Sequence, residues 1–406
     1  MSSAATLVVR NIGELATCDP SRGESPGLII GAALAAEGDR LVYVGDDGGL
    51  HGIDISADAE VVDAGGNAVI PGLVDAHTHA VFAGHRGGEY ALRAEGISYE
   101  EIAALGGGIR ATVRATRQAS VDELVALARP RLRRMRRSGT TTVEIKSGYG
   151  LELDTELRQL QAAHALGRDA SLPDVAATFL PLHAAPDGER AAFVEEVCRD
   201  WLPQAAPQAR FVDAFCESGV FTVTECETLY AAARDLGLGI KVHAEQRSHS
   251  GGAALAARSG AVSADHLEHA DDNDLRALAA AGTVGVLLPG AALTLGGPPP
   301  PGRRLIDAGA RVAVATDCNP GTCYTESMPL MISLAVSIAG LRPAEALVAA
   351  TSGGAAALAL PDRGVLAAGM RCDLVILDSP NWIDIAYHLG GCATATVVIG
   401  GRRIED

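Results

Sequence analysis

The sequence predicts an α/β fold, a TIM-like (β/α)8 barrel with a small composite β-sandwich domain formed by both termini. In the middle of the chain, apolar strand-like runs alternate with Ala/Leu/Arg/Glu-rich helical stretches, the pattern of a parallel sheet. Eight such runs occur, the number that closes a barrel. The two ends instead carry short β-type runs separated by Gly and Asp, such as "TLVVRNI" and "ATVVIGGRRI", which are typical of antiparallel strands.

The eight predicted barrel strands are short apolar runs that each precede a helical stretch. They lie at 73–77, 141–146, 176–183, 211–216, 239–243, 261–266, 284–288 and 312–317. The barrel is therefore predicted over residues 66–360, and the composite β domain over residues 1–65 and 361–406. "MPLMISLAVSIAGL" (328–341) is predicted as a buried core helix. "LGGPPPPG" (295–302) is predicted as a stiff loop after the seventh strand, either a connector or a lid.

Composition excludes several classes of partner. The 406-residue chain has a formal net charge of −17 and an isoelectric point near 5.1, which disfavours nucleic acid and anionic membrane surfaces. No apolar run reaches the roughly 18 residues of a membrane span, and the first residues lack the pattern of a signal peptide. The eight cysteines form no CxxC pair, so neither a structural zinc site nor a disulfide framework is indicated. We expect a cytoplasmic protein.

Chemistry-bearing residues recur at the C-terminal ends of the predicted strands, where the catalytic groups of such barrels lie. The positions, in chain order, are His77 and His79, His183, His243, His266 and Asp317. Residues two apart on a strand share one face, so the first two imidazoles can hold one ion together. Three neutral imidazoles and one carboxylate suit zinc or iron and leave room for a water molecule, whose pKa the ion would lower to roughly 7.

These motifs resemble the amidohydrolase superfamily and, within it, the imidazolonepropionase family of histidine degradation. The similarity covers nearly the whole chain. It rests on the His-x-His after Pro-Gly and on the blocks "GISYEEIAALGGGIRATVRATRQAS", "TTVEIKSGYGLELDTELRQL", "FCESGVFT", "GAVSADHLEHA" and "ATDCNPGTCYTESMPL". The resemblance implies hydrolysis of 4-imidazolone-5-propanoate, a small-molecule substrate, to N-formimidoyl-L-glutamate. It also implies one divalent metal ion, zinc or iron, and a homodimer.

The resemblance also assigns roles to individual residues. It implies that the metal ligands are His77, His79, His243 and Asp317. The implied substrate contacts are Arg86, Tyr149, His183, Gln246, Asn319, Gly321 and Thr322. Catalytic roles are expected for Asp317, for His183 as a stabiliser of charge on the ring carbonyl oxygen, and for His266 in proton transfer or ligand support.

Arg86 agrees with the chemistry of this substrate, because a guanidinium matches a carboxylate such as the propionate in two-pronged fashion. Gln246 stands where some members of the family have a glutamate. A glutamine cannot act as an acid or base, which moves the proton-transfer role toward Asp317 or His266.

Three rival functions differ in what they require. A heterocycle deaminase of the same superfamily usually needs a glutamate at the position of Gln246. A two-metal cyclic amidohydrolase needs a bridging modified lysine, and Lys146, the available candidate, follows the second strand and is interpreted as structural. A catalytically silent scaffold would lack a metal ligand, yet all four are present.

Overall fold

The structure is a computed structural model that describes residues 4–97, 101–102, 105–186, 188–391 and 393–405. Part of the motif at 96–120 therefore lies outside the described residues. In chain order the strands are β1 Ala5–Ala16, β2 Leu28–Glu37, β3 Arg40–Asp46, β4 Ile55–Asp63, β5 Val69–Pro71, β6 Leu73–Asp75, β7 Thr140–Lys146, β8 Asp174–Leu182, β9 Phe211–Cys216, β10 Gly239–Ala244, β11 Ser263–His266, β12 Val284–Leu287, β13 Val312–Val314, β14 Leu374–Leu377, β15 Thr394–Ile399 and β16 Arg402–Ile404.

The α-helices of the described residues are mostly short. Their bounds are Gly87–Ala94, Ile109–Gln118, Val121–Arg137, Leu153–Gly167, Arg190–Glu196, Leu202–Ala205, Val223–Asp235, Gly252–Ser259, Asp272–Ala281, Pro289–Leu295, Gly302–Asp307, Met328–Ser337, Pro343–Val348, Gly354–Ala357 and Asp384–Tyr387. Side-chain capping boxes fix the starts of the helices that begin at Val121, Val223 and Asp272. In each box the cap side chain accepts a backbone N–H of the first turn.

The middle of the chain forms the predicted barrel. Strands β6 to β13 lie side by side in sequence order, and each neighbouring pair is parallel. The ring closes where Thr78 forms a parallel bridge with Cys318, and the Asp317 N–H donates to the His77 carbonyl at 3.0 Å. All eight predicted strands are confirmed. The first and last end two or three residues earlier than predicted, because this bridge replaces regular pairing there.

Strands from both termini form the second sheet. Its order is β16-β15-β14-β5-β1-β2-β3, with β4 paired to β1, and its strands are both parallel and antiparallel. Strand β5 joins the N-terminal strands to the C-terminal strands. Its Val69 pairs with Leu15 of β1, and its Ile70 pairs with Val375 of β14. The composite β unit is thus confirmed as one mixed sheet; the boundaries 1–65, 66–360 and 361–406 stay a prediction.

The predicted core helix is present as Met328–Ser337, with Met331, Ile332 and Ala335 fully buried. The Pro-rich segment 295–302 runs from the end of one helix to the start of the next. Within the described residues, no helix is both long enough and apolar enough to cross a membrane.

Candidate active site

Three histidines meet at the C-terminal end of the barrel. One nitrogen each of His77, His79 and His243 lies within 4.8 Å of the others, and the rings of His77 and His243 are 4.5 Å apart. All three side chains are buried, and the described residues offer no hydrogen-bond partner to Nε2 of His77 or of His243. Burial, followed by neighbouring positive charges, lowers the pKa of each ring well below its ordinary value. The neutral imidazoles therefore fit a divalent metal ion.

Asp317 supplies a carboxylate to the same centre. Its Oδ1 lies 3.6 Å from Nε2 of His77 and 3.7 Å from Nε2 of His79. Burial raises the pKa of Asp317 to about 6, although His266 opposes the shift. Its backbone φ is 51°, and His266 has φ 81°, conformations that L-residues adopt at a cost and that often mark functional sites.

Two buried carboxylates lie behind the histidines. Oδ2 of Asp265 is 2.6 Å from Nδ1 of His77, and Oδ2 of Asp213 is 3.0 Å from Nδ1 of His243. The first contact is a hydrogen bond, whereas the second is too far off axis to count as one. A carboxylate at Nδ1 keeps the proton there and leaves Nε2 as the metal-binding atom. Asp265 therefore orients Nε2 of His77 toward the proposed ion.

Lys146 connects these carboxylates. Its Nζ lies 2.7 Å from Asp213, 3.4 Å from Asp265 and 3.0 Å from Glu144, and all four side chains are fully buried. Burial opposes a charged ammonium, but the three carboxylates outweigh it and raise the pKa of Lys146. Lys241 adds a second ammonium 3.1 Å from Glu144. Lys146 is thus surrounded by charge partners, in agreement with its interpretation as structural.

His266 stands beside the histidine cluster, with its ring 5.4 Å from that of His243 and 5.6 Å from that of His77. Its Nδ1 is 3.8 Å from Oε2 of Glu268, an ion-pair distance too long for a hydrogen bond. Burial disfavours the imidazolium, yet Glu268 and then Asp317 outweigh burial, so the pKa of His266 is raised. A histidine that holds a proton more readily is suited to proton donation.

A cavity of about 710 Å³ opens above the cluster. The structure brings every predicted site residue except the buried His77 to its wall. The wall contains His79, Arg86, Tyr149, His183, His243, Gln246, His266, Asp317, Asn319, Gly321 and Thr322. Its volume is typical of a small-molecule site.

Two neighbouring loops position Arg86 and Tyr149. Arg131 donates to the carbonyls of Ala80 and Phe82 at 2.9 and 3.0 Å and thereby holds the loop that leads to Arg86. The Tyr149 N–H donates to Oε1 of Gln159 at 3.1 Å. These contacts hold the backbone on both sides of one wall of the cavity.

The carboxylate of Glu156 accepts three backbone N–H groups around Tyr149. The donors are those of Gly148 and Gly150, both at 2.7 Å, and of Leu151 at 2.8 Å. Gly148 has φ 104°, a value that favours glycine. The backbone on both sides of Tyr149 is therefore held by hydrogen bonds to Glu156.

His183 stacks on His79 with ring centroids 4.9 Å apart and planes inclined by 9°. Its Nδ1 is 2.8 Å from the Gly148 carbonyl; because a carbonyl only accepts, Nδ1 carries the proton. Burial lowers the pKa of His183 to about 4. The neutral ring therefore presents Nε2 as a hydrogen-bond acceptor, which does not suit the expected role of stabilising a negatively charged oxygen.

Asn319 organises the turn after Asp317. Its amide nitrogen donates to the Asp317 carbonyl at 2.7 Å and to Oγ1 of Thr322 at 2.9 Å. Its amide oxygen accepts the N–H groups of Gly321 at 2.8 Å and of Thr322 at 2.7 Å. Four hydrogen bonds fill the capacity of this side chain, so Asn319 shapes the turn.

Sequence reasoning missed the acidic residues that support the site: Asp213, Asp265, Glu268 and Glu89, which pairs with Arg86. Two of them lie inside the quoted block "GAVSADHLEHA". Acidic residues at the end of an apolar strand are the signal that would have indicated them.

Comparisons with known proteins identify the family of this chain. The model of the amidohydrolase family matches residues 68–404. Two solved structures cover 98–99% of the chain: a 5-methylcytosine deaminase from Klebsiella pneumoniae (TM-score 0.75, 98% of that chain) and an adenosine deaminase from Xanthomonas campestris with bound zinc (TM-score 0.74, 93% of that chain). At 19% identity each, they show the fold alone. The chain belongs to the amidohydrolase family, whose members are hydrolases.

More similar relatives indicate which amidohydrolases this chain is grouped with. The imidazolonepropionase of Symbiobacterium thermophilum is 47% identical over 98% of this chain and 97% of its own length. That of Deinococcus radiodurans is 46% identical over 97% of this chain and 98% of its own length. Within the amidohydrolases, the chain is a member of the imidazolonepropionase family.

Proposed function

We propose that this chain opens the ring of 4-imidazolone-5-propanoate with water and releases N-formimidoyl-L-glutamate, the third step of histidine degradation. The observation that carries the proposal is the single cavity in which His79, His243 and Asp317 lie together with the guanidinium of Arg86. The cavity offers groups that can hold a metal ion near the ring carbonyl, and it offers a cation that can bind the propionate. Membership of the imidazolonepropionase family supports the same substrate.

We propose His77, His79, His243 and Asp317 as the residues that hold one divalent ion, zinc or iron. When bound, such an ion lowers the pKa of a water molecule and polarises a carbonyl group. Asp317 is the proposed acceptor of a proton of the attacking water, because its carboxylate lies in the same site, 3.6 Å from Nε2 of His77 and 3.7 Å from Nε2 of His79. The oxygen bonds to the ring carbonyl carbon, and the bond from that carbon to the ring nitrogen breaks.

The leaving ring nitrogen takes up a proton as that bond breaks. His266 is the proposed donor, because Glu268 and Asp317 favour its protonated form. His183 accepts a hydrogen bond from the substrate through Nε2, and Gln246 bonds the amide-like ring with both groups of its amide. Tyr149, Gly321 and Thr322 complete the contacts along the cavity wall.

The proposal is tested with freshly generated imidazolone propionate. Its ultraviolet absorbance should disappear on addition of the protein, with one equivalent of a dicarboxylate formed and no ammonia. Release of ammonia would instead indicate a deaminase. Metal analysis of the purified protein identifies the ion, and light scattering tests the proposed homodimer.

Recognition of the propionate is tested by truncating Arg86. Arg86→Ala should lower kcat/KM by about ten- to a hundredfold or more, since hydrogen bonds to charged groups contribute about 1.5–3 kcal/mol. Most of the loss should appear in KM, because the propionate does not react. Arg86→Lys should restore little, since an ammonium lacks the planar fork. Equal losses on a substrate without the carboxylate would remove Arg86 from this role.

A further inference from the structure

We propose that Glu89 is a positioning residue for substrate recognition, which holds the guanidinium of Arg86 so that its terminal edge remains available to an anionic substrate. The inference rests on the proposed function, in which Arg86 binds the propionate. Glu89 itself is absent from the cavity wall that contains Arg86. It therefore acts through the arginine.

One oxygen of Glu89 binds one edge of the guanidinium. Oε2 accepts a hydrogen bond from Nε of Arg86 at 2.9 Å and lies at an ion-pair distance of 2.8 Å from Nη2. The side chains are only 9% exposed for Arg86 and 17% for Glu89, so solvent screens this pair less than an exposed ion pair. The contact occupies the Nε/Nη2 edge. Among the described residues, Nη1 and Nη2 donate no hydrogen bond, and the Nη1/Nη2 edge is equally able to bind a carboxylate with two parallel bonds.

Gly321 bounds the guanidinium on another side. A Cβ atom on Gly321 would lie 2.5 Å from Nη1 of Arg86 and 3.2 Å from Cζ. The backbone of the turn that follows Asp317 thus packs directly against the guanidinium. Glu89 and Gly321 thus contact the guanidinium from two sides, and Gly321 belongs to the turn that follows the proposed ligand Asp317.

Glu89 is itself held by a second element. Its Oε1 accepts the N–H of Gly108 at 3.1 Å, at the start of the helix Ile109–Gln118. Arg93, one turn further along the helix that begins at Gly87, donates from Nη2 to the Gly321 carbonyl at 3.2 Å. Glu89 is therefore fixed by backbone on one side, which reduces the side-chain entropy lost when Arg86 is oriented.

A positioning role has a distinct kinetic signature. Without Glu89, Arg86 keeps its charge but loses its fixed direction, so a bound carboxylate must order it at a cost in affinity. The reacting carbonyl lies at the other end of the substrate, so KM should rise while kcat changes little. Glu89→Gln keeps an acceptor oxygen for Arg86 and should retain part of the effect.

The test is a double-mutant cycle of Glu89→Ala and Arg86→Ala in the metal-loaded full-length protein. Glu89→Ala should raise KM about five- to twentyfold with kcat within about twofold, a loss of about 0.7 to 1.3 powers of ten in affinity. Glu89→Gln should fall between this variant and wild type. In the Arg86→Ala background, Glu89→Ala should cause no further loss, because a residue that acts only through Arg86 is fully coupled to it.

Glu227→Ala is the matched control. One oxygen of Glu227 accepts hydrogen bonds from Nε and Nη2 of Arg258 at 2.9 and 2.7 Å on the outer surface, a one-oxygen contact with an arginine away from the cavity. It should leave KM unchanged, and thermal unfolding should show that all variants fold. Additive losses in the cycle, or a fall confined to kcat, would overturn the inference about Glu89. An Arg86→Ala variant with unchanged KM would instead refute the proposed role of Arg86.

Discussion

Nδ1 of His77 and Oδ2 of Asp265 are joined by a 2.6 Å hydrogen bond in the barrel interior. Both side chains are fully buried, and Ser263 donates to the other carboxylate oxygen at 2.6 Å. The bond assigns the proton of the imidazole to Nδ1. Nε2 consequently faces the proposed metal site with its lone pair.

Asp265→Asn should therefore weaken metal binding without removing a ligand. Loss of such a supporting carboxylate typically costs about 10–100-fold in metal affinity. The measurement is competition with a chromophoric chelator. Asp373→Asn, which alters a buried aspartate directly before β14, is the control and should retain wild-type affinity. Equal affinities for Asp265→Asn and wild type would contradict the supporting role.

Removal of a proposed ligand should have a larger effect. His77→Ala, His79→Ala, His243→Ala and Asp317→Ala should each abolish activity and most bound metal, since each deletes one donor of the set. Metal content by mass spectrometry and activity of the same preparation check this together. A fully active, metal-replete variant at any of these positions would refute the site.

Gly321→Ala should disturb substrate binding. The new methyl group would lie 2.5 Å from Nη1 of Arg86, so the guanidinium must move. We expect KM to rise about tenfold, in the range of one lost charge-assisted hydrogen bond, while kcat and metal content remain near wild type. Gly297→Ala, at a cavity-lining glycine with open space around it, should behave as wild type.

His249 gives a prediction for pH-dependent stability. Its Nε2 is 2.8 Å from Oδ2 of Asp274; this bond and the nearby Glu245 and Asp271 charges raise the pKa of His249. Because the pKa of His249 is higher in the folded chain, protonated His249 stabilises the fold. This stabilisation is fully present below about pH 6.5, the pKa of histidine in the unfolded chain, and it is lost as the pH rises through the pKa of the folded state.

His249→Asn should therefore destabilise the fold at pH 6 and have no effect at pH 9. The side chain is 53% exposed, so the difference should be about 0.5 kcal/mol or less. Urea unfolding at the two pH values measures it. A larger effect at pH 9 than at pH 6 would contradict the assignment.

The sequence predicts the barrel well because its signals are local. Apolar runs bounded by helical stretches mark each strand, and the strand ends then place His77, His243 and Asp317 at one end of the barrel. Strand limits were less accurate at β6 and β13, where an isolated bridge replaces regular pairing. That bridge forms only when the first and last strands meet, so no local sequence pattern indicates it.

The charged residues that surround the proposed ligands were harder to predict from the sequence. Lys146 contacts Asp213 and Asp265, which lie 67 and 119 positions away in the chain. Only the barrel brings these strands together, so no local pattern reveals that three buried charges share one network. The pairing of Arg86 with Glu89 is local, three residues apart, but resembles an ordinary helix surface pair.

The seam that closes the barrel also joins two distant parts of the polypeptide. Thr316 donates to Asp75 across 241 positions of sequence, and the proposed ligands on either side, His77, His79 and Asp317, directly follow the first and the last barrel strands. Such contacts have high contact order and form late or slowly during folding. The nascent chain therefore has no complete metal site until its eighth strand is in place. An ion that binds only the closed barrel raises the free energy of unfolding. The increase grows with the logarithm of the ratio of the ion concentration to Kd. Supply of the proposed ion would thus set the stability of the fold as well as the activity of the enzyme.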